Sequence, residues 1–124
     1  MSAFKSRGGV VRIFRAFGYS LSGLVAAFRF ESAFRQELAL IVVMVVLALV
    51  AKLSAVEWVL LVLSMGFVLV TELLNSAVEA VVDRVSLERH PLSGRAKDIA
   101  SAAVLLSLVL AGGIWAAAIW QHLR

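Results

Sequence analysis

A chain of 124 residues is one domain's worth, and at 62% hydrophobic content it is too short to bury its apolar surface in an aqueous core. Soluble domains average roughly 45–50% apolar residues, so this composition, with a mean hydropathy of +0.98, points to a bilayer as the solvent. The lack of cysteine excludes disulfides and thiolate metal sites. The net charge of +4 is modest, and its basic residues flank apolar runs, which argues against a nucleic-acid partner.

In chain order, Lys5, Arg7, Arg12 and Arg15 are interspersed with single apolar residues, unlike the apolar run that follows the basic start of a signal peptide. The sequence is therefore read as mature from its start. Residues 10–28 form an amphipathic pattern, with Val10, Phe14, Phe17, Leu21, Leu24 and Phe28 at spacings of three and four. Arg12, Arg15, Tyr19 and Ser22 fall largely off that face, which suits a helix lying at the membrane interface; the alternative is a helix packed on soluble protein.

The apolar run 38–51 is short for a span of about 20 residues. Extended back to Ala33 it suffices, with Arg35, Gln36 and Glu37 snorkelling at the entry. Residues 52–57 can only connect two antiparallel helices. The second span is expected over 58–82, anchored at the interface by Trp58. A polar stretch over 83–98 holds Arg84, Arg89, Arg95 and Lys97, and Pro91 and Gly94 are expected to interrupt the helix there. The third span, 99–121, is uncharged, with Trp115 and Trp120 near its far end.

The expected fold is an all-α membrane protein. One domain, 1–124, has three transmembrane helices (33–51, 58–82 and 99–121) and an N-terminal amphipathic surface helix over 10–28. Nearly all Arg and Lys lie in the N-terminal segment and the second loop, which the positive-inside rule places in the cytoplasm, with Arg124 on the outer side. There is no internal repeat.

The second span carries the chemistry. At 100° per residue, Glu79 and Asp83 each lie about 20° from Glu72, Ser76 about 40° and Asn75 about 60°. The polar groups share one face, turned away from Leu73, Ala77, Val78 and Val81. An ionised carboxylate at the centre of a bilayer costs on the order of 3 kcal/mol. Interhelical hydrogen bonding would account for one Asn or Ser. Two Glu and an Asp repel one another unless a cation or proton lies between them, and hard oxygen ligands suit Mg²⁺.

Two further clusters flank this stripe. His90, Ser93, Gly94, Arg95, Lys97 and Asp98 precede the third span, where basic groups on a small turn can hold phosphates. The P-loop spacing is absent, and topology signalling or headgroup contact accounts for a basic loop by itself. Glu31, Phe34, Arg35, Gln36 and Glu37 mark the entry to the first span, where acidic residues complement the helix dipole. Carboxylates for a metal, a basic loop for polyphosphate and a buried carboxylate within reach of a lipid hydroxyl are together the parts that phosphoryl transfer needs.

Three blocks in this sequence resemble the bacterial integral-membrane diacylglycerol kinase family, which is related to undecaprenol kinase. They are Glu31-Ser32-Ala33-Phe34-Arg35-Gln36-Glu37, the run from Glu72-Leu73-Leu74-Asn75-Ser76 through Glu79 to Asp83-Arg84, and Leu92-Ser93-Gly94-Arg95-Ala96-Lys97-Asp98. Ala16-Phe17-Gly18-Tyr19-Ser20 with Gly23-Leu24 also fits.

The resemblance implies a domain-swapped homotrimer in the bacterial inner membrane, with active sites shared between neighbours. It implies transfer of the ATP γ-phosphoryl group to diacylglycerol, giving phosphatidic acid. Glu72 matches the catalytic base and Asn75 its polar partner. Glu31 and Glu79 match the carboxylates that hold Mg²⁺ with the nucleotide. Arg12, Tyr19, Glu31, Glu79, Glu88, His90, Lys97 and Asp98 match ATP-binding positions. Arg12, Ala16, Glu31, Phe34, Arg35, Glu72 and Ser101 match positions near the lipid substrate. The loop 85–91, including Pro91, departs from the family pattern.

Undecaprenol is the alternative lipid. Asp83-Arg84 and Ser93-Gly94-Arg95 look more like the diacylglycerol branch. A rival of another class is a proton or cation pathway through Glu72 and Glu79. The third span offers such a pathway little besides Ser107. A purely structural membrane subunit leaves the three polar clusters unexplained.

Overall fold

The computed structural model describes residues 8–123, which contain four helices and no strand. They are α1 (Gly9–Phe30), α2 (Ser32–Ala51), α3 (Ala55–Val85) and α4 (Pro91–Leu123). All four are long and apolar enough to cross a membrane. The chain divides into two compact units, Met1–Ser32 and Ala33–Arg124. Lys5, Arg7 and Arg124 lie outside the described residues.

The first unit is α1. Its apolar series from Val10 and Phe14 through Phe17, Leu21 and Leu24 to Phe28 is exposed, as are Arg12 and Tyr19. The helix stops at Glu31, whose backbone is extended (φ −113°, ψ 106°) while its N–H still bonds the Ala27 carbonyl at 2.9 Å.

The second unit holds α2 to α4. Lys52, just past the end of α2, is the one described non-glycine residue with positive φ, at 54°. That left-handed conformation stops the helix, as glycine does at many helix ends. Ser54 then caps α3 in a reciprocal box. Its Oγ accepts from the Glu57 N–H at 3.2 Å, and its own N–H donates to Glu57 Oε1 at 3.1 Å. The cap starts α3 at Ala55, ahead of the expected residue 58. The bond from the Ser54 N–H holds the Glu57 carboxyl below the usual glutamate range. Glu57 Oε2 also lies 3.0 Å from His122 Nε2 and ties the start of α3 to the end of α4.

At 31 residues α3 is about 46 Å long, and at 33 residues α4 is about 50 Å. Both exceed a hydrocarbon core of about 30 Å, so their polar ends project beyond it. Pro91 does not interrupt a helix, contrary to expectation. It opens α4, where a first-turn residue needs no amide hydrogen, and Gly94 lies within the helix. His90 acts as the cap: its Nδ1 accepts from the Leu92 N–H at 3.0 Å, and its carbonyl accepts from the Gly94 N–H at 3.0 Å. The basic cluster from Ser93 to Asp98 therefore sits on a rigid helix and not on a flexible turn.

α3 and α4 form an antiparallel pair with the most extensive interhelical packing in the described chain. The buried seam of α3 is Leu61, Ser64, Val68, Thr71 and Glu72; that of α4 is Ser107 and Ala111. Thr71 Oγ1 and Ser107 Oγ lie 2.9 Å apart, and Ser107 is 0% exposed. Each hydroxyl is also close to a carbonyl one turn back, Val68 at 2.9 Å and Val104 at 2.7 Å. Two protons cannot serve three bonds at once, so one hydroxyl donates across the interface while the other donates to its own helix.

This pair is expected to show a coupling of about 1 kcal/mol, between the average of about 0.6 and the maximum of about 1.7 found for membrane-interior hydrogen bonds. A Thr71→Val and Ser107→Ala double-mutant cycle, followed by reversible unfolding in mixed micelles, measures it. Additive losses would show that the hydroxyls act separately.

Candidate active site

Helical periodicity puts Glu72, Asn75, Glu79 and Asp83 on one face of α3, and packing turns the start of that face inward. Glu72 is 6% exposed, Asn75 is half-buried, and Glu79 and Asp83 are exposed. The face thus leads from a buried carboxyl to solvent within three turns. Glu79 lies about 10 Å further along the axis than Glu72.

Asn75 links the two glutamates' surroundings. Its Nδ2 donates to Glu79 Oε1 at 3.2 Å, which leaves its buried Oδ1 without a hydrogen-bond partner. An amide oxygen so placed accepts from an incoming donor. Across from α3, the Glu37 carboxyl of α2 is hydrogen-bonded to Glu72. The sequence offered Glu37 a place at the membrane entry and a helix-dipole role, but no partner. The polar faces of α2 and α3 are each visible in the sequence, but their meeting is not.

At the outer end of the same face, Lys97 Nζ of α4 pairs with Asp83 Oδ1 at 2.7 Å, with both side chains about half exposed. The hydrogen bond that Lys97 donates to Asp83, then the nearby negative charges of Asp83 and Glu79, hold the Lys97 ammonium above the usual lysine range. Lys97 lies in the polar head of α4, before the apolar run that starts at Ile99.

A cavity of about 480 Å³ opens beside this pair, between the end of α3 and the start of α4. It is lined by Asp83, Glu88, Arg89, His90, Ser93 and Lys97 among others. Its volume falls in the usual range of small-molecule sites, roughly 300–1,000 Å³. The backbone Glu88 N–H donates to Ser86 Oγ at 3.0 Å, which folds the connecting loop back on the end of α3.

The structure therefore brings together Glu88, His90 and Lys97 of the ATP-binding set. Asp98 does not line that cavity. Of the lipid-site set, Phe34 is buried at the start of α2, whereas Arg35 and Ser101 are exposed. Arg12, Ala16, Tyr19 and Glu31 belong to the first unit. Within it the Ala16 carbonyl accepts from Ser20 Oγ at 2.9 Å.

The donors suit Mg²⁺ in a particular way. Among the described residues no three acidic or histidine side chains converge on one point. Mg²⁺ characteristically takes one or two carboxylates together with substrate phosphates, not an all-protein cage. An exposed Glu79 held in place by Asn75 fits that pattern.

Comparisons with known proteins give the family. The family profile described as prokaryotic diacylglycerol kinase matches residues 18–119. The chain is 48% identical to a diacylglycerol kinase of Escherichia coli K12 over 92% of its length and 93% of that protein. It is 50% identical to a diacylglycerol kinase of Pseudomonas aeruginosa PAO1 over 93% and 94% of the two chains. For a diacylglycerol kinase of Haemophilus influenzae the identity is 44%, over 86% and 91%. A profile match across most of the chain and near-full-length relatives at this identity place it: the chain belongs to the prokaryotic diacylglycerol kinase family.

Proposed function

We propose that this protein transfers the γ-phosphoryl group of ATP to the free hydroxyl of diacylglycerol, giving phosphatidic acid and ADP. The observation that carries the reading is Glu72. It is a buried carboxyl inside a membrane helix, at the closed end of a polar face that leads to a cavity lined by both acidic and basic side chains. In this reading Glu72 accepts the proton of the lipid hydroxyl. The hydroxyl oxygen attacks the γ-phosphorus, the bond to the β–γ bridging oxygen breaks, and ADP departs with that oxygen.

Asn75 orients the polar groups between base and nucleotide. Lys97, His90 and Glu88 border the cavity where the nucleotide would sit; Arg12, Tyr19 and Asp98 are the further ATP contacts that the family resemblance implies. Glu79 and Glu31 would hold Mg²⁺, which supplies neutralising charge for the phosphates. Ala16, Phe34, Arg35 and Ser101 would border the lipid.

The same reading places α1 on the membrane surface, since Arg12 and Arg15 oppose its apolar face, and gives the chain three spans. With most basic residues in the N-terminal segment and the second loop, the N-terminus faces the cytoplasm and the C-terminus the outer side of the inner membrane. α2 leaves Val42, Val43, Val46, Leu47 and Val50 exposed, a face for lipid and for neighbouring subunits of a homotrimer whose sites are shared.

The proton-pathway alternative fits less well. Between Glu57 and Thr71, α3 carries Ser64 as its only hydroxyl and no further ionisable residue.

Purified protein in mixed micelles, given Mg·ATP with diacylglycerol and undecaprenol in parallel, tests the proposal. Phosphatidic acid is expected as the main product. Preferential phosphorylation of undecaprenol would move the chain to the related activity, and no transfer to either lipid would overturn the reading.

A further inference from the structure

Glu37 and Glu72 are hydrogen-bonded carboxyl to carboxyl between α2 and α3. Such a bond needs a proton, because two carboxylates in contact repel and neither has a hydrogen to donate. The pair therefore carries at most one negative charge, and the geometry indicates where the shared proton resides. Glu37 Oε2 is buried and has no hydrogen-bond partner. As half of a carboxylate that oxygen would hold charge away from any donor, at high cost; as the carbonyl oxygen of a neutral acid it costs far less.

We propose that Glu37 is a positioning residue, held as the neutral acid, whose O–H donates to Glu72 and keeps Glu72 ionised and aimed. This rests on the reading of Glu72 as the base. A neutral donor solves a specific difficulty of that reading. A base buried in a membrane helix is driven to take up a proton before any substrate arrives, because burial disfavours its charge. One hydrogen bond to the charged form opposes that uptake without adding a second charge. It also fixes one oxygen of Glu72.

The full-length protein in mixed micelles allows the test. Glutamine retains both a neutral donor and a carbonyl, so Glu37→Gln is expected to stay within about threefold of wild-type kcat. Leucine fills the space without a donor, and Glu37→Leu is expected to lower kcat by about 10- to 100-fold, the usual cost of losing a supporting partner. KM for Mg·ATP should change little in either variant. Wild-type protein at neutral pH should also show an infrared band of a protonated carboxyl that Glu37→Gln removes.

A Glu37→Leu variant with normal kcat, a Glu37→Gln variant as impaired as Glu37→Leu, or a protonated-carboxyl band that survives Glu37→Gln would each overturn the inference. Glu72→Gln in the same assay separates the two readings. If Glu72→Gln is active, the base assignment fails. If it is inactive while Glu37→Leu is normal, only the role of Glu37 fails.

Discussion

Glu72→Gln is expected to lower kcat by about 10²- to 10⁴-fold, the usual contribution of a positioned general base. KM for Mg·ATP and for diacylglycerol should remain near wild type. The substitution is isosteric, so it removes the ability to take a proton while retaining shape and hydrogen bonding. It also removes a charge from a buried position inside a membrane helix, where charge is costly. The variant should therefore be at least as resistant to unfolding as wild type, which separates a catalytic loss from a folding loss. The check is a coupled ADP-release assay in mixed micelles, with oligomeric state and thermal unfolding followed alongside. Turnover within tenfold of wild type would remove Glu72 from the role of base.

Glu79→Gln should fail differently. The amide oxygen of glutamine can still accept from Asn75 Nδ2, so the contact seen at 3.2 Å is preserved and only the charge is lost. If Glu79 holds nucleotide-borne Mg²⁺, kcat/KM for Mg·ATP falls by about 100-fold, with part of the loss recovered as free Mg²⁺ is raised. The exposed position of Glu79 leaves stability unchanged. A Mg²⁺ titration of initial rates on both variants distinguishes the roles. A shifted Mg²⁺ requirement is expected for Glu79→Gln and an unshifted, uniformly low rate for Glu72→Gln. An unshifted Mg²⁺ curve in Glu79→Gln would remove Glu79 from the metal site.

These expectations differ because of depth along α3. Glu72 and Glu79 share a face, yet the first is shielded by α2 and α4 packing and the second stands clear of it. A base profits from seclusion, since water cannot compete for the proton. A ligand for nucleotide-bound metal must remain open to the aqueous side. Asn75, between them, touches Glu79 directly and leaves its oxygen pointed into the buried region.

Much of this was legible in the sequence. The apolar runs specify helices, because a backbone in lipid must satisfy its hydrogen bonds within each segment. The 100° periodicity is a local property, and it alone puts Glu72, Asn75, Glu79 and Asp83 on one face. The quoted blocks carried the family. Helix ends were less legible. Pro91 was read as an interruption, whereas His90 caps α4 and makes Pro91 its first residue. A proline signals a boundary without saying which side of it is helical.

What only the tertiary structure decided are the contacts between helices. Glu37 with Glu72, Thr71 with Ser107, Asp83 with Lys97 and Glu57 with His122 join residues from different helices, up to 65 positions apart. Periodicity fixes the face on which a side chain stands. Which face of which neighbour it meets, and at what depth, depends on the axial register and rotation of packed helices. Those are set by the sum of many small packing terms along α2, α3 and α4, and no local pattern in the chain encodes them.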